Sequence, residues 1–100
     1  ANDFGFEGIF RRQVEALGHE GDVLIGMSAR GNSANVVAAL ESARASGIKT
    51  IGFTGEGGGK LAPLCDMLFA VPSDKVMHIQ EAHIALGHVL TMAVEQIMGY

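Results

Sequence analysis

The stretch GDVLIGMSARGNSANV, residues 21–36, leads an apolar run into a turn of small polar residues and on into a periodic segment. Asp22 to Met27 is short and mostly apolar, the signature of a strand covered on both faces. Asn32 to Ala45 carries Val36, Val37, Leu40 and Ala43 at helical spacing, with Gly47 as its stop. A strand that turns at once into a helix is the unit of a parallel sheet, and ligands of such sheets sit beyond the strands' carboxyl ends. The turn occupies that place. A helix beginning there directs free amides and its positive dipole end into a loop containing Ser28, Asn32 and Ser33, and Gly31 lets the backbone come close. The pattern alone leaves two readings open: a cradle for a phosphate, or a plain turn with Asn32 or Ser33 as the helix cap.

Working outward, Phe6 to Leu17 has apolar residues at helical spacing, ended by Gly18, and His19 to Asp22 reads as a turn. Lys49 to Thr54 is a second strand, and GEGGG (55–59) reads as a mobile loop. Lys60 to Leu64 is a short helical turn, and Met67 to Val71 a third strand. Pro72 and Ser73 break the chain, Ser73 is the candidate N-cap, and a helix is expected from Asp74 nearly to Tyr100. Its apolar residues lie on more than one face, so a subunit interface is expected beside the core. The fold class is α/β: a parallel sheet flanked by helices, joined by right-handed crossovers. Three strands are few for such a sheet, which makes the chain look like part of a doubly wound domain.

Composition sets bounds. A chain of 100 residues, 48% hydrophobic and 18% charged, has the content of one small folded domain. Its formal net charge of −4, with no basic cluster larger than Arg11-Arg12, argues against nucleic acid as a partner. A single cysteine, Cys65, excludes an internal disulfide and a thiolate-rich zinc site, and its apolar surroundings suggest a buried, inert thiol. No signal peptide opens the chain and no uncharged run approaches the roughly 20 residues that span a bilayer, so no membrane association and a cytoplasmic location are expected. The start at Ala1, without an initiator Met, hints at a segment upstream.

Two other patterns bear on chemistry. GEGGGK (55–60) is not a phosphate-binding P-loop, because Thr54 and Leu61 stand where that motif needs Gly and Ser or Thr. His78, His83 and His88 share the last helix with Gln80 and Glu81. Gln80 and His88, eight residues apart, fall within about 80° of each other around the helix and roughly 12 Å along it. One metal ion bound by both would need further ligands from elsewhere; buried or interfacial histidines are the plainer reading.

Taken in order, NDFGFEGIFRRQVEALG (2–18), GDVLIGMSARGNSANV (21–36), GGKLAPLCD (58–66) and IQEAHIALGHVL (79–90) resemble the phosphoheptose isomerases of the sugar-isomerase (SIS) superfamily. The resemblance implies a three-layer sandwich of helices about a parallel sheet, assembled as a homotetramer with active sites between subunits. It implies aldose–ketose isomerisation of sedoheptulose 7-phosphate to D-glycero-D-manno-heptose 7-phosphate through an enediol, generally with zinc, in the synthesis of lipopolysaccharide core heptose. It places Asn2 and Asp3 on the substrate, and Ser28, Ala29, Arg30 and Ser33 at its phosphate. It makes Gln80 a contact of substrate and metal, and His88 a metal ligand and the general acid/base.

The family's Ser-Thr-Ser-Gly loop is here Ser28-Ala29-Arg30-Gly31, which removes two hydroxyls. Arg30 could replace them with a bidentate phosphate contact, point to solvent, or change which sugar phosphate fits. The family's N-terminal half, with an Asn-Gly-Gly-Ser loop and a helix bearing a metal-binding His and a Glu base, has no counterpart in these residues. Residues 1–100 are therefore expected to be the C-terminal portion of one SIS domain, inactive alone. The alternative is a non-catalytic SIS module that senses a sugar phosphate or forms a tetrameric protein-binding scaffold.

Overall fold

In the computed structural model, residues 6–99 are described. A short 3₁₀ turn (Phe6–Gly8) leads into α1 (Ile9–Leu17), followed by β1 (Val23–Met27), α2 (Ala34–Ala45) and β2 (Lys49–Thr54). A second 3₁₀ segment (Gly59–Leu64), β3 (Met67–Ala70) and α3 (Val76–Met98) complete the chain. The three strands form one parallel sheet in the order β1-β2-β3, with Ile25 paired to Ile51 and Ile51 to Met67. The α/β expectation holds.

Alternation along the strands separates two faces. On the first, Gly26 and Gly52 lie side by side, and α2 comes so near that a β-carbon at Gly26 would stand 3.0 Å from Val36 Cγ1 and 3.3 Å from Leu40 Cδ1. Leu40, Ala39 and Ala43 are buried there, and α1 packs on α2. On the second face, Phe53 is the centre: it meets Phe69 edge-on at 5.5 Å and the His83 ring of α3 at 5.6 Å, and is only 1% exposed. Truncating such a phenylalanine costs about 3–5 kcal/mol. Helices therefore lie on both faces of the sheet, giving three layers.

The third layer is partial. Val23, Ile25, Met27 and Met67, on the same face as Phe53, are exposed, as are Met77, Ile84, Val89, Met92 and Ile97 of α3. The expectation that β1 is covered on both faces is thus corrected: among the described residues its apolar run is covered by α2 on one side, while Val23, Ile25 and Met27 stay exposed on the other. No helix among the described residues is long and apolar enough to cross a membrane.

Several local expectations also shift. The helix after the serine turn starts at Ala34 rather than Asn32, and α3 starts at Val76 rather than Asp74. Ser73 does not cap α3; its hydroxyl accepts the Lys75 amide two residues on, a local turn that competes with helix initiation. Cys65 is half-buried rather than buried, its thiol donating to the Leu61 carbonyl at 3.2 Å. Partial burial, then the neighbouring Asp66 carboxylate, push that thiol's pKa up, while Arg44 opposes them.

Candidate functional site at the carboxyl end of β1

The turn between β1 and α2 is built around a pair of hydroxyls. Ser28 is 8% exposed, and its amide donates to the Phe53 carbonyl at 3.0 Å, which fastens the loop to the end of β2. Its Oγ lies 2.9 Å from Ser33 Oγ and accepts the Ser33 amide at 3.4 Å. Ser33 occupies the N-cap position of α2, yet its hydroxyl makes no capping bond. A cap would satisfy one of the free amides of the first turn. Here the hydroxyl is turned to Ser28 instead; Asn35 Oδ1 takes the Val36 amide at 2.8 Å, while Ser33 leaves the amides of Ala34 and Asn35 uncapped at the partially positive end of the helix. Ala29 is half-buried and Arg30 exposed at the rim.

GEGGG, expected to be mobile, is instead clasped onto this loop. The Leu61 amide donates to the Gly31 carbonyl and the Lys60 amide to Asn32 Oδ1, both at 3.0 Å. Gly31, Gly58 and Gly59 all have positive φ, and a β-carbon on Gly31 would overlap the Gly58 carbonyl oxygen. The two glycine-rich turns thus meet backbone to backbone. The repeated glycines suggested only flexibility; the left-handed angles and the lack of room for β-carbons are what require them.

Ser28, Ala29, Arg30 and Ser33 share one loop, with the two serine hydroxyls 2.9 Å apart, whereas Gln80 and His88 belong to α3. Both lie exposed on α3, whose buried side carries Ile79 and His83. At about 100° per residue, Gln80 sits on the flank of that buried side and His88 turns almost directly away from it. Asn2 and Asp3 lie outside the described residues. The Gln80 amide oxygen and the His88 imidazole are acceptable zinc donors, but a zinc site takes four. No three His, Cys, Asp or Glu side chains cluster among the described residues, so any such site draws its other ligands from elsewhere.

Sequence reasoning missed the part played by His83. It is 5% exposed, and its Nε2 lies 2.8 Å from the Thr54 carbonyl oxygen. That oxygen only accepts, so Nε2 carries a proton. A histidine between Ile79 and Leu86 on the inner side of the helix was the available signal.

The fold recurs in known proteins. The phosphoheptose isomerase of Rhodospirillum rubrum is 53% identical over 97% of this chain, which spans 52% of that protein. The solved phosphoheptose isomerase of Neisseria gonorrhoeae superposes with a TM-score of 0.92 at 43% identity, over 95% of this chain and 53% of its own. That of Francisella tularensis gives 0.91 at 39% identity over the same shares. The chain thus spans about half the length of the relatives it matches. A sequence model of the SIS domain matches residues 1–55, a stretch that contains α1, β1, the serine loop, α2 and β2, and the chain belongs to the SIS-domain family.

Proposed function

We propose that the chain is the C-terminal portion of a phosphoheptose isomerase, converting sedoheptulose 7-phosphate to D-glycero-D-manno-heptose 7-phosphate for the lipopolysaccharide core in the bacterial cytoplasm. The observation that carries this reading is the Ser28–Ser33 hydroxyl pair at the start of α2, where Ser33 makes no side-chain cap. The similarity to phosphoheptose isomerases over 97% of the chain supports the substrate class.

In this reading the phosphate accepts bonds from the two serine hydroxyls and from the first amides of α2. Arg30, at the rim, adds a charge-assisted contact of the bidentate kind. The anchored phosphate holds C1 and C2 of the sugar beyond the loop, and their interconversion requires a proton to leave one carbon and return to the other through an enediol. His88, whose imidazole has one nitrogen to accept a proton and one to donate, serves as the acid/base that this chain supplies. Gln80 holds a sugar oxygen, and both residues would ligate zinc. Bound there, zinc supplies a Lewis acid for the substrate carbonyl. The remaining ligands and the base that opens the enediol come from outside these residues, so the 100-residue chain alone is expected not to turn over. The outward turn of His88 and the bare apolar side of α3 support an active site completed in a homo-oligomer, a homotetramer by family resemblance.

The test is titration and assay of the intact protein with sedoheptulose 7-phosphate. Replacing both Ser28 and Ser33 with Ala is expected to weaken binding about 100-fold or more, each of the two lost bonds to a charged group being worth about 1.5–3 kcal/mol. His88→Ala is expected to lower kcat by about 100-fold or more. Unchanged affinity in the serine variant refutes the cradle, and tight binding without isomerisation by the unaltered protein favours the non-catalytic alternative.

A further inference from the structure

We propose that His83 is a positioning residue that sets the spacing between the serine loop and the helix bearing Gln80 and His88. The proposal rests on the reading of the serine loop as a phosphate site.

Three observations carry it. First, His83 joins α3 to the carboxyl end of β2 by its Nε2–H bond to the Thr54 carbonyl, 2.8 Å long and wholly buried. Its ring also lies on Phe53, tilted by 49°. Second, the bond lies next to the loop: the Gly55 amide, one residue beyond Thr54, donates to the Ala29 carbonyl at 2.8 Å, and the Ser28 amide donates to Phe53. Third, the gap is closed tightly. A β-carbon on Gly55 would overlap Ile79 Cδ1 and stand 2.6 Å from the Ala29 carbonyl oxygen. Gly55 therefore lies between α3 and the serine loop, in contact range of both, with Ile79 and His83 one turn apart on the same side of the helix. Gln80 follows Ile79 directly.

The Thr54 carbonyl also accepts the Val71 amide at 3.0 Å, so loss of the histidine leaves that oxygen paired. What is lost is the tie that holds α3 at a fixed place along the end of β2. A sugar phosphate that touches both the serine loop and α3 reads that place; inorganic phosphate, which reaches only the loop, does not. Misplacement by about 1 Å suffices to slow a positioned reaction by about 100-fold.

The experiment compares the intact protein with His83→Phe, which keeps the ring on Phe53 and removes the donor, and with His83→Gln, which returns an N–H near the same point. Affinity for inorganic phosphate and for sedoheptulose 7-phosphate is measured by calorimetry, and kcat by isomerisation assay. His83→Phe is expected to keep inorganic phosphate affinity within about twofold while the preference for the sugar phosphate falls about tenfold and kcat about 100-fold. His83→Gln is expected to recover most of both, and Gly55→Ala to reproduce the His83→Phe pattern. Full preference in His83→Phe, or loss of affinity for both ligands in parallel, overturns the proposal. Equal damage in His83→Phe and His83→Gln does so too. If the unaltered protein binds the sugar phosphate without isomerising it, the isomerase reading fails while the affinity ratio still decides the role of His83. If the unaltered protein binds neither ligand, the cradle reading fails and the proposal falls with it.

Discussion

Replacing Gly31 with alanine tests the backbone contact between the two glycine-rich turns. Gly31 has φ +73°, where a β-carbon costs about 1–2 kcal/mol in any setting. The β-carbon would also overlap the Gly58 carbonyl oxygen and stand 3.1 Å from Gly59 Cα, both of them backbone atoms with no side chain to swing aside. Relief requires the turns to part, which loosens the Leu61–Gly31 and Lys60–Asn32 bonds, each 3.0 Å long. Each such bond contributes about 1 kcal/mol net. Gly21 is the internal control: its φ is +92°, and a β-carbon there meets nothing within 4 Å. Gly21→Ala is therefore expected to cost about 1–2 kcal/mol and Gly31→Ala about 3–4 kcal/mol. Urea denaturation of the intact protein measures both, read as shifts in midpoint at constant slope. Equal costs at the two glycines would refute the clasp, and with it the account of why GEGGG is rich in glycine.

Two further predictions rest on other parts of the molecule. Hydrogen bonding from the Thr50 amide holds the Asp66 carboxyl below its ordinary pKa, helped by the Thr50 hydroxyl, Arg44 and Lys49 against partial desolvation. A group depressed on folding stabilises fully above its unfolded pKa, about 3.9 for aspartate, and loses that contribution as pH falls through the folded value. Asp66→Asn should thus lower the melting temperature near pH 6 and flatten its decline below about pH 4; parallel melting curves against pH would count against this. Light scattering on the intact protein should report an oligomer, because α3 leaves Met77, Ile84, Val89, Met92 and Ile97 exposed. Met92→Glu with Ile97→Glu is expected to shift it toward smaller species, and a monomer in the unaltered protein at micromolar concentration would sink the interface reading.

Periodicity and punctuation carried the secondary structure a long way. β2 runs from Lys49 to Thr54 as its apolar pattern predicts, and α2 ends at Ala45 before the predicted stop at Gly47. Such features are local: side-chain spacing, a residue that frees φ, a proline that breaks a run. The serine loop was legible for the same reason, since strand, turn and helix start are contiguous in the chain. Whether Ser33 caps the helix was not, because a capping and a non-capping serine look the same in sequence. Only the position of Ser28 Oγ, 2.9 Å away, shows its hydroxyl turned from the helix amides. The helix starts were misplaced where side chains of Ser33 and Ser73 found partners other than helix amides. GEGGG looked mobile because glycine permits many conformations, and its docking depends on Gly31, more than twenty residues away in sequence. His83 was one histidine among three on a helix until the fold set it against Thr54 and Phe53. The sequence by itself determined the order of elements, the parallel sheet and the place of the serine loop, because these follow from local pattern and short connections. The tertiary structure alone decided which hydroxyls pair, which glycines touch and which histidine is buried, because those depend on distances between segments that the chain brings together only when folded.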